Sequence, residues 1–312
     1  MSRTILVSGA SGLIGTELVS YLRARGDRVV ALVRRPIRTD DEIQWDPAAG
    51  NLPQGAVDGV DVVVNFSGAG IGDKRWSERR KKEILESRLD STGLLARAMA
   101  ASDSPPTTFL SASAIGIYGQ DRGDELLDEQ ATTGTDFGAQ VAVQWEQATA
   151  PAVAAGVRVV LFRTGLVLAP SVGWRGLLPG GGGGLLGPLV PLFKLGLGGR
   201  LSSGKQWMSW ISIDDEVAAL AHLMDSSLSG PVNLVASHPV QNAEFTTALA
   251  KTLRRPALFV IPRFALVVRF GREMAPGFAL ASERVSSELL ESDGFQFAHP
   301  ELEPALRHVL GR

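Results

Sequence analysis

Thr4-Ile5-Leu6-Val7-Ser8-Gly9-Ala10-Ser11-Gly12-Leu13-Ile14-Gly15 lies at the start of the chain, and its reading decides the fold. An apolar run meets three glycines spaced G-x-x-G-x-x-G. Beyond them Leu13, Ile14, Leu18, Val19 and Leu22 recur at the i, i+3/i+4 interval of a helix with one buried face. The first glycine permits a sharp turn after a strand. The second lets backbone N–H groups approach a pyrophosphate, and the third lets the helix close on the sheet. The helix N-terminus adds unpaired donors and partial positive charge. The segment therefore predicts a strand, a phosphate-cradling turn and a helix, with Gly9, Ser11, Gly12, Leu13, Ile14 and Gly15 facing a dinucleotide.

The next apolar run, residues 28–33, ends in Arg34-Arg35-Pro36, with no acid before Asp40. A carboxylate at this strand end would accept from the ribose hydroxyls of NAD and repel a 2′-phosphate. Guanidinium forks pair with phosphate instead. Arg34 and Arg35 thus point to NADP(H) over NAD(H); the alternative is two solvated arginines at a strand end.

The composition narrows the class. With 312 residues, 45% hydrophobic and 21% charged, the chain has ordinary globular composition and enough length for a large core. A net charge of -2 gives no basic field for nucleic acid or an anionic membrane. The absence of cysteine excludes disulfides, thiolate metal sites and a cysteine nucleophile. The N-terminus enters a strand almost at once, leaving no room for a signal peptide. The apolar stretch 257–270 contains Pro262, Arg263 and Arg269, too short and too charged for a bilayer span. The expected location is cytoplasmic. His222, His238, His299 and His308 are far apart, without metal-ligand spacing, so no metal is expected.

Strand-like runs at 60–66, 107–113, 158–163 and 232–235 alternate with helical patterns at 75–101, 137–155 and 243–253. This rhythm predicts an α/β fold: a Rossmann-type, doubly wound parallel sheet covered on both faces, with a small C-terminal substrate lobe. The expected division is 1–235 for the dinucleotide-binding domain, with 170–208 contributing to the lobe, and 236–312 for the lobe itself. Residues 170–204 break the rhythm with five consecutive glycines, Gly180 to Gly184, read as a lid or binding loop or as a tolerated insertion. Ligands of open α/β sheets lie across the carboxyl ends of the strands. That places Ser67, Gly68 and Ala69 beside the adenosine half, unless they form only a tight turn.

The motifs together resemble the extended short-chain dehydrogenase/reductase superfamily. More narrowly, they resemble its atypical NAD-dependent epimerase/dehydratase-like members that carry a short C-terminal domain of unknown function. The matching stretches are Gly9 to Gly15, Arg75-Trp76 with Ser87-Arg88, Ser111 to Gly119, Trp145-Glu146, Arg163 to Leu168 and Gln206 to Asp215. In the tail they are Ala281 to Val285, Gly294-Phe295 and Leu302 to Leu306. The resemblance implies cofactor-side positions at Glu83, Arg88 and Val167; Glu83 and Arg88 also read as a surface pair on a charged helix. It implies a substrate-binding hydroxyl at Ser111 or Ser113. Tyr118 is either a replacement proton donor or a packed side chain with one hydrogen bond.

One departure stands out. The superfamily's Tyr-x-x-x-Lys helix supplies a proton-transferring Tyr and a Lys that lowers its pKa, but here Phe137 and Val141 fall at those positions. General acid–base catalysis contributes about 10²–10⁴-fold, so the loss matters. Two functions stay open. One is an NADP(H)-dependent oxidoreductase or epimerase acting on a small molecule. The other is a non-catalytic NADP(H)-binding sensor or regulator. Asp121, Asp124 and Glu125 read as a solvated acidic loop, and Trp174, Trp207 and Trp210 as pocket walls or core. The long helical patterns 75–101 and 137–155 offer a homodimer interface of the kind seen in the superfamily.

Overall fold

In the computed structural model, which describes residues 2–170 and 184–312, the opening apolar run is β1 (Thr4–Ser8) and the glycine turn leads into α1 (Leu13–Ala24). There follow β2 (Arg28–Val33), β3 (Glu42–Gln44), β4 (Val62–Asn65), α2 (Glu78–Ala100) and β5 (Thr108–Ala114). A 3₁₀ turn (Ile115–Tyr118) leads to β6 (Asp121–Leu127), α3 (Phe137–Gln147), α4 (Ala150–Ala154), β7 (Arg158–Thr164) and β8 (Leu166–Leu168). Beyond residue 184 come α5 (Leu186–Lys194), β9 (Gly199–Leu201), β10 (Trp207–Met208), β11 (Trp210–Ser212), α6 (Ile213–Asp225) and β12 (Gly230–Leu234). The tail holds β13 (Val240–Gln241), α7 (Asn242–Leu253), β14 (Phe259–Ile261), α8 (Arg263–Phe270), a π-helical turn (Ala275–Ala279), β15 (Ser282–Val285), α9 (Glu288–Ser292) and α10 (Leu302–Val309).

Seven parallel strands form the central sheet in the order β12-β7-β5-β4-β1-β2-β3. This is the Rossmann-type α/β architecture that the alternation predicts. Side-chain alternation along β1 divides the core. Ile5 and Val7 pack with Leu18 and Leu22 of α1 and Leu220 and Leu223 of α6. Leu6 turns the other way, toward Leu95 and Met99 of α2 and Ala152 of α4. Burial on both faces is why these strands read as continuous apolar runs. A second apolar core joins Val190 and Phe193 of α5, Phe245 and Leu249 of α7, and Leu302, Leu306 and Val309 of α10. Among the described residues no helix is long and apolar enough to cross a membrane.

Three expectations shift. The helix expected over 75–101 starts at Glu78, because Ser77 caps it by accepting from the Arg80 amide at 3.2 Å. Arg75 lies outside and donates to the carbonyls of Val268 and Arg269. The helix expected over 137–155 splits into α3 and α4 at Ala148-Thr149. Pro151 has no N–H to continue the ladder there. Residues 121–127 are not a loop but β6, paired in parallel with β15. Trp174 and the glycine run from Gly180 to Gly183 lie outside the described residues.

Glu216, on α6, is fully buried; its Oε1 accepts from Thr164 Oγ1 at 2.7 Å, and its Oε2 has no partner among the described residues. Burial pushes its carboxyl up from 4.5 to about 8, against the Thr164 bond. The folded chain therefore holds a proton that the unfolded chain releases above pH 4.5. The stabilisation is complete below that pH and declines by about 1.4 kcal/mol per pH unit until the folded pKa is passed. Urea unfolding from pH 5 to pH 9 is expected to show a shallower decline for Glu216→Gln than for the wild type; equal slopes would mean that the carboxyl is not desolvated.

Candidate functional site

The site is built around the glycine turn. Gly9 has φ +70°, and a Cβ there would stand 2.9 Å from Phe66 Cβ. A Cβ on Gly15 would lie 2.3 Å from the Gly9 carbonyl oxygen, so helix and turn meet backbone to backbone. Gly12 is the N-cap of α1 and supplies no side-chain bond. The first-turn amides, including those of Leu13 and Ile14, are thereby left without partners inside the helix. Ser11 is exposed beside them. On the other side of the turn, a Cβ on Gly184 would touch both the Val167 carbonyl at 2.7 Å and Leu13 Cδ2 at 3.1 Å. Val167 thus reaches the turn from β8.

The arginine pair at the end of β2 divides. Arg34 is exposed and has no hydrogen-bond partner among the described residues. Arg35 forks onto Glu42 of β3, at 2.8 and 2.6 Å. The Arg35 bond, with the Arg38 amide, holds the Glu42 carboxyl down at about 2. Arg35, expected at the cofactor, therefore already has a carboxylate in its fork. The register Ala31↔Glu42 brings that acid alongside, which spacing along the chain does not reveal.

Ser67, Gly68 and Ala69 follow β4 and are fastened to α2. The Ser67 amide donates to Asn65 Oδ1 at 3.1 Å, and the Ala69 amide to Ser87 Oγ at 3.0 Å. Arg88 lies under this turn, its NH1 donating to the carbonyls of Ala69 and Ile84, both at 2.9 Å. A Cβ on Gly68 would press within 3.1 Å of the Arg88 side chain. The Arg88 guanidinium is 4.8 Å from the Trp145 ring and has no carboxylate partner among the described residues. Burial, then the charge of Arg80, lowers its pKa to about 10. A buried cation without a carboxylate, at the carboxyl end of the sheet, suits an anionic ligand. Glu83 does not join it: Glu83 is exposed and paired with Arg80 at 2.8 Å. A buried relay ties the turn to the sheet. Ser8 Oγ donates to Asn65 Oδ1 at 2.5 Å, Asn65 Nδ2 to Thr92 Oγ1 at 2.8 Å, and Trp145 Nε1 to the same oxygen at 2.9 Å.

The hydroxyls expected to meet substrate lie inside the protein. Ser113 donates to Glu146 Oε1 at 2.6 Å, and Ser111 Oγ is buried without a partner among the described residues. Tyr118 is 0% exposed. It donates to Asn233 Oδ1 at 2.7 Å and accepts from Arg163 NH1 at 3.0 Å. Burial raises its pKa. Arg163 grips Glu146 with two bonds, Nε–Oε1 at 2.9 Å and NH2–Oε2 at 3.0 Å. Strand alternation explains the placement: Ser111 and Ser113 share one face of β5, and that face turns Ser113 toward α3.

Phe137 and Val141 are packed, not reactive. The Phe137 ring meets Trp76 edge-on at 5.0 Å, and Val141 shares a cluster with Trp76, Ile84 and Met274. The tail folds over this region, since a Cβ on Gly277 would touch Trp76 at 3.3 Å and Gln120 at 3.4 Å. Trp207 sits partly exposed, donating to Asp124 Oδ1 at 2.7 Å, with Arg284 4.8 Å from its ring. Trp210 is wholly buried and belongs to the second core. Sequence reading assigned no role to Glu283 of β15. It is 8% exposed and has no hydrogen-bond or ion-pair partner for its carboxyl among the described residues. Burial, then the charges of Asp136 and Asp121, raises its pKa to about 8.

A glycine turn between strand and helix, a free arginine at the next strand end and a covering tail define a Rossmann-type member of the epimerase and reductase class. The model of the NAD dependent epimerase/dehydratase family matches residues 5–235, and the chain belongs to that family. The model of the domain of unknown function DUF1731 matches residues 261–309. Epimerase family protein MT2273 of Mycobacterium tuberculosis is 42% identical over 309 residues, covering 99% of this chain and 98% of that protein. Human epimerase family protein SDR39U1 is 33% identical over 310 residues, covering 98% and 99%. The crystal structure of the human protein, isoform 2 with NADPH, superimposes with a TM-score of 0.86 at 32% identity, covering 99% of both chains. A nucleoside-diphosphate sugar epimerase from Corynebacterium glutamicum gives 0.78 at 36% identity, covering all of this chain and 59% of that one.

Proposed function

We propose that this chain is an NADP(H)-dependent oxidoreductase of the epimerase type, acting on a small molecule without the superfamily's Tyr-Lys pair. The observation that carries the reading is the free Arg34 beside the glycine turn, where Arg35 is neutralised by Glu42. The NADPH in the human relative's structure agrees with it. The cradle fits the cofactor, because Gly9 and Gly15 let the turn and α1 close backbone to backbone, which leaves the first-turn amides of α1 facing outward, and Arg88 offers a buried charge without a carboxylate.

In this reading Gly9, Ser11, Gly12, Leu13, Ile14 and Gly15 hold the pyrophosphate, and Arg34 takes the 2′-phosphate. Gly68, Arg88 and Val167 line the remaining length, with Ser67 and Ala69 fixing the turn. When bound, the dinucleotide supplies hydride transfer. Ser113, Tyr118, Glu146 and Arg163 form the rigid polar wall behind β5. Residues 1–235 and 236–312 act as cofactor domain and lobe, with 170–208 lent to the lobe. The second core, built from α5, α7 and α10, supports that division. We place the protein in the cytoplasm.

Glu283 is assigned the proton that Phe137 cannot supply. Burial, then the charges of Asp136 and Asp121, pushes its carboxyl up to about 8, and Asp136 caps the helix that begins with Phe137. Glu283→Gln is expected to leave NADPH affinity unchanged. In a screen of carbonyl compounds and nucleotide sugars it is expected to lower turnover about 10²–10⁴-fold. Unchanged turnover would remove Glu283 from the reaction. The reading as a whole is tested by calorimetric titration of nucleotide-stripped protein with NADPH, NADP⁺ and NADH. Tight NADPH and weak NADH binding are expected, and no binding of any of the three would overturn the proposal.

A further inference from the structure

We propose that Asp214, His299 and His308 form a binding site for a divalent transition-metal ion of the zinc class, at the seam between α6 and α10. The residues are distant in sequence, and no regular spacing announces them. The fold brings one donor atom from each within 4.8 Å of the others. His308 Nε2 is already 2.9 Å from Asp214 Oδ2. The two imidazoles stack, with ring centroids 4.2 Å apart and planes inclined by 26°.

The backbone beneath each residue is fixed independently of any ion. Asp214 lies in the first turn of α6. Its neighbour Asp215 is 1% exposed and accepts from the amides of Ala298 and His299, at 2.7 and 3.1 Å. Asp215 is held in turn by Ser212 Oγ at 2.8 Å. The loop bearing His299 is thus locked to the start of α6 by a buried carboxylate. His308 lies in the last turn of α10, whose other face buries Leu302, Ala305, Leu306 and Val309. Only side-chain torsions remain to be set. Donors around a tetrahedral ion with bonds of about 2.0–2.1 Å stand about 3.4 Å apart. Asp214 and His308 are exposed and His299 is half-buried, so the ion would draw the donors together by side-chain rotations that unstack the two rings.

The donor set selects the ion. Two imidazole nitrogens and one carboxylate suit zinc, cobalt, nickel or copper, while magnesium and calcium favour all-oxygen sites. Three protein ligands leave a coordination position for water. The ion would join α6, which packs on the central sheet, to α10, which closes the second core. It acts as a clasp between those two layers and binds the native chain in preference to the unfolded one.

The test is calorimetric titration of the chelator-treated, full-length protein with Zn²⁺, and separately with Mg²⁺, alongside thermal unfolding. A single Zn²⁺ per chain is expected, with a raised unfolding midpoint that a chelator reverses and no comparable response to Mg²⁺. His299→Gln and His308→Gln are each expected to weaken Zn²⁺ binding by about tenfold or more. Unchanged unfolding midpoints without metal will show that the variants fold. No Zn²⁺ binding, or binding undiminished in both variants, would overturn the site.

Discussion

Arg34→Ala is expected to lower NADPH affinity by about tenfold to a hundredfold and to leave NADH affinity unchanged. Hydrogen bonds to a charged group contribute about 1.5–3 kcal/mol, and about 1.4 kcal/mol is a factor of ten in a dissociation constant. Arg34 is the residue to change because it is exposed and unpartnered among the described residues. Arg35 spends its fork on Glu42. Truncating Arg35 would also expose an ionised carboxylate beside the phosphate and confuse the comparison. Calorimetry with both dinucleotides, on wild type and variant, reads the selectivity ratio directly. An unchanged ratio would show that the 2′-phosphate lies elsewhere.

Glu146→Ala is expected to carry the largest stability effect, about 3–5 kcal/mol, because it strands a charge in the interior. Arg163 is 5% exposed, and Glu146 is the carboxylate in its fork. Burial works against the Arg163 charge; the Glu146 bond and charge, with Tyr118, overcome it and raise the pKa. Ser113 would lose its acceptor in the same substitution. Tyr118 stays bonded to Asn233, so the damage begins on the α3 side of the network. Urea unfolding measures the loss. Replacing Arg163 and Glu146 together by apolar residues of similar size should be milder, since no lone charge is left. A single-variant loss under about 1 kcal/mol would mean that water reaches Arg163.

The β1–α1–β2 unit was legible because several local signals agree there: apolar runs, glycine spacing and a helical period. The family resemblance was legible for the same reason, its motifs lying at strand ends. Side-chain direction was harder to read. Ser111 and Ser113 lie in β5 and Tyr118 in the turn that follows it, and all three face inward. Which face of β5 meets α3 depends on how the helix docks, and no local period encodes that. Arg35–Glu42 and Glu283 beside Asp136 come from pairings across strands and across the chain. Trp207 and Trp210 look equivalent in the sequence but part ways in space. One reaches Asp124, and the other fills the second core.

The pairing of β6 with β15 has a consequence for the chain as it is made. Asp121–Leu127 emerges from the ribosome long before Ser282–Val285, its strand partner. Until those residues are made, the β6 edge must therefore wait with open backbone donors and acceptors. Its composition suits that interval. Asp121, Arg122, Asp124 and Glu125 place charge along the edge, which discourages pairing with another nascent chain. The same residues that look like an idle acidic loop in the sequence serve as a guard until the last turns of the protein arrive.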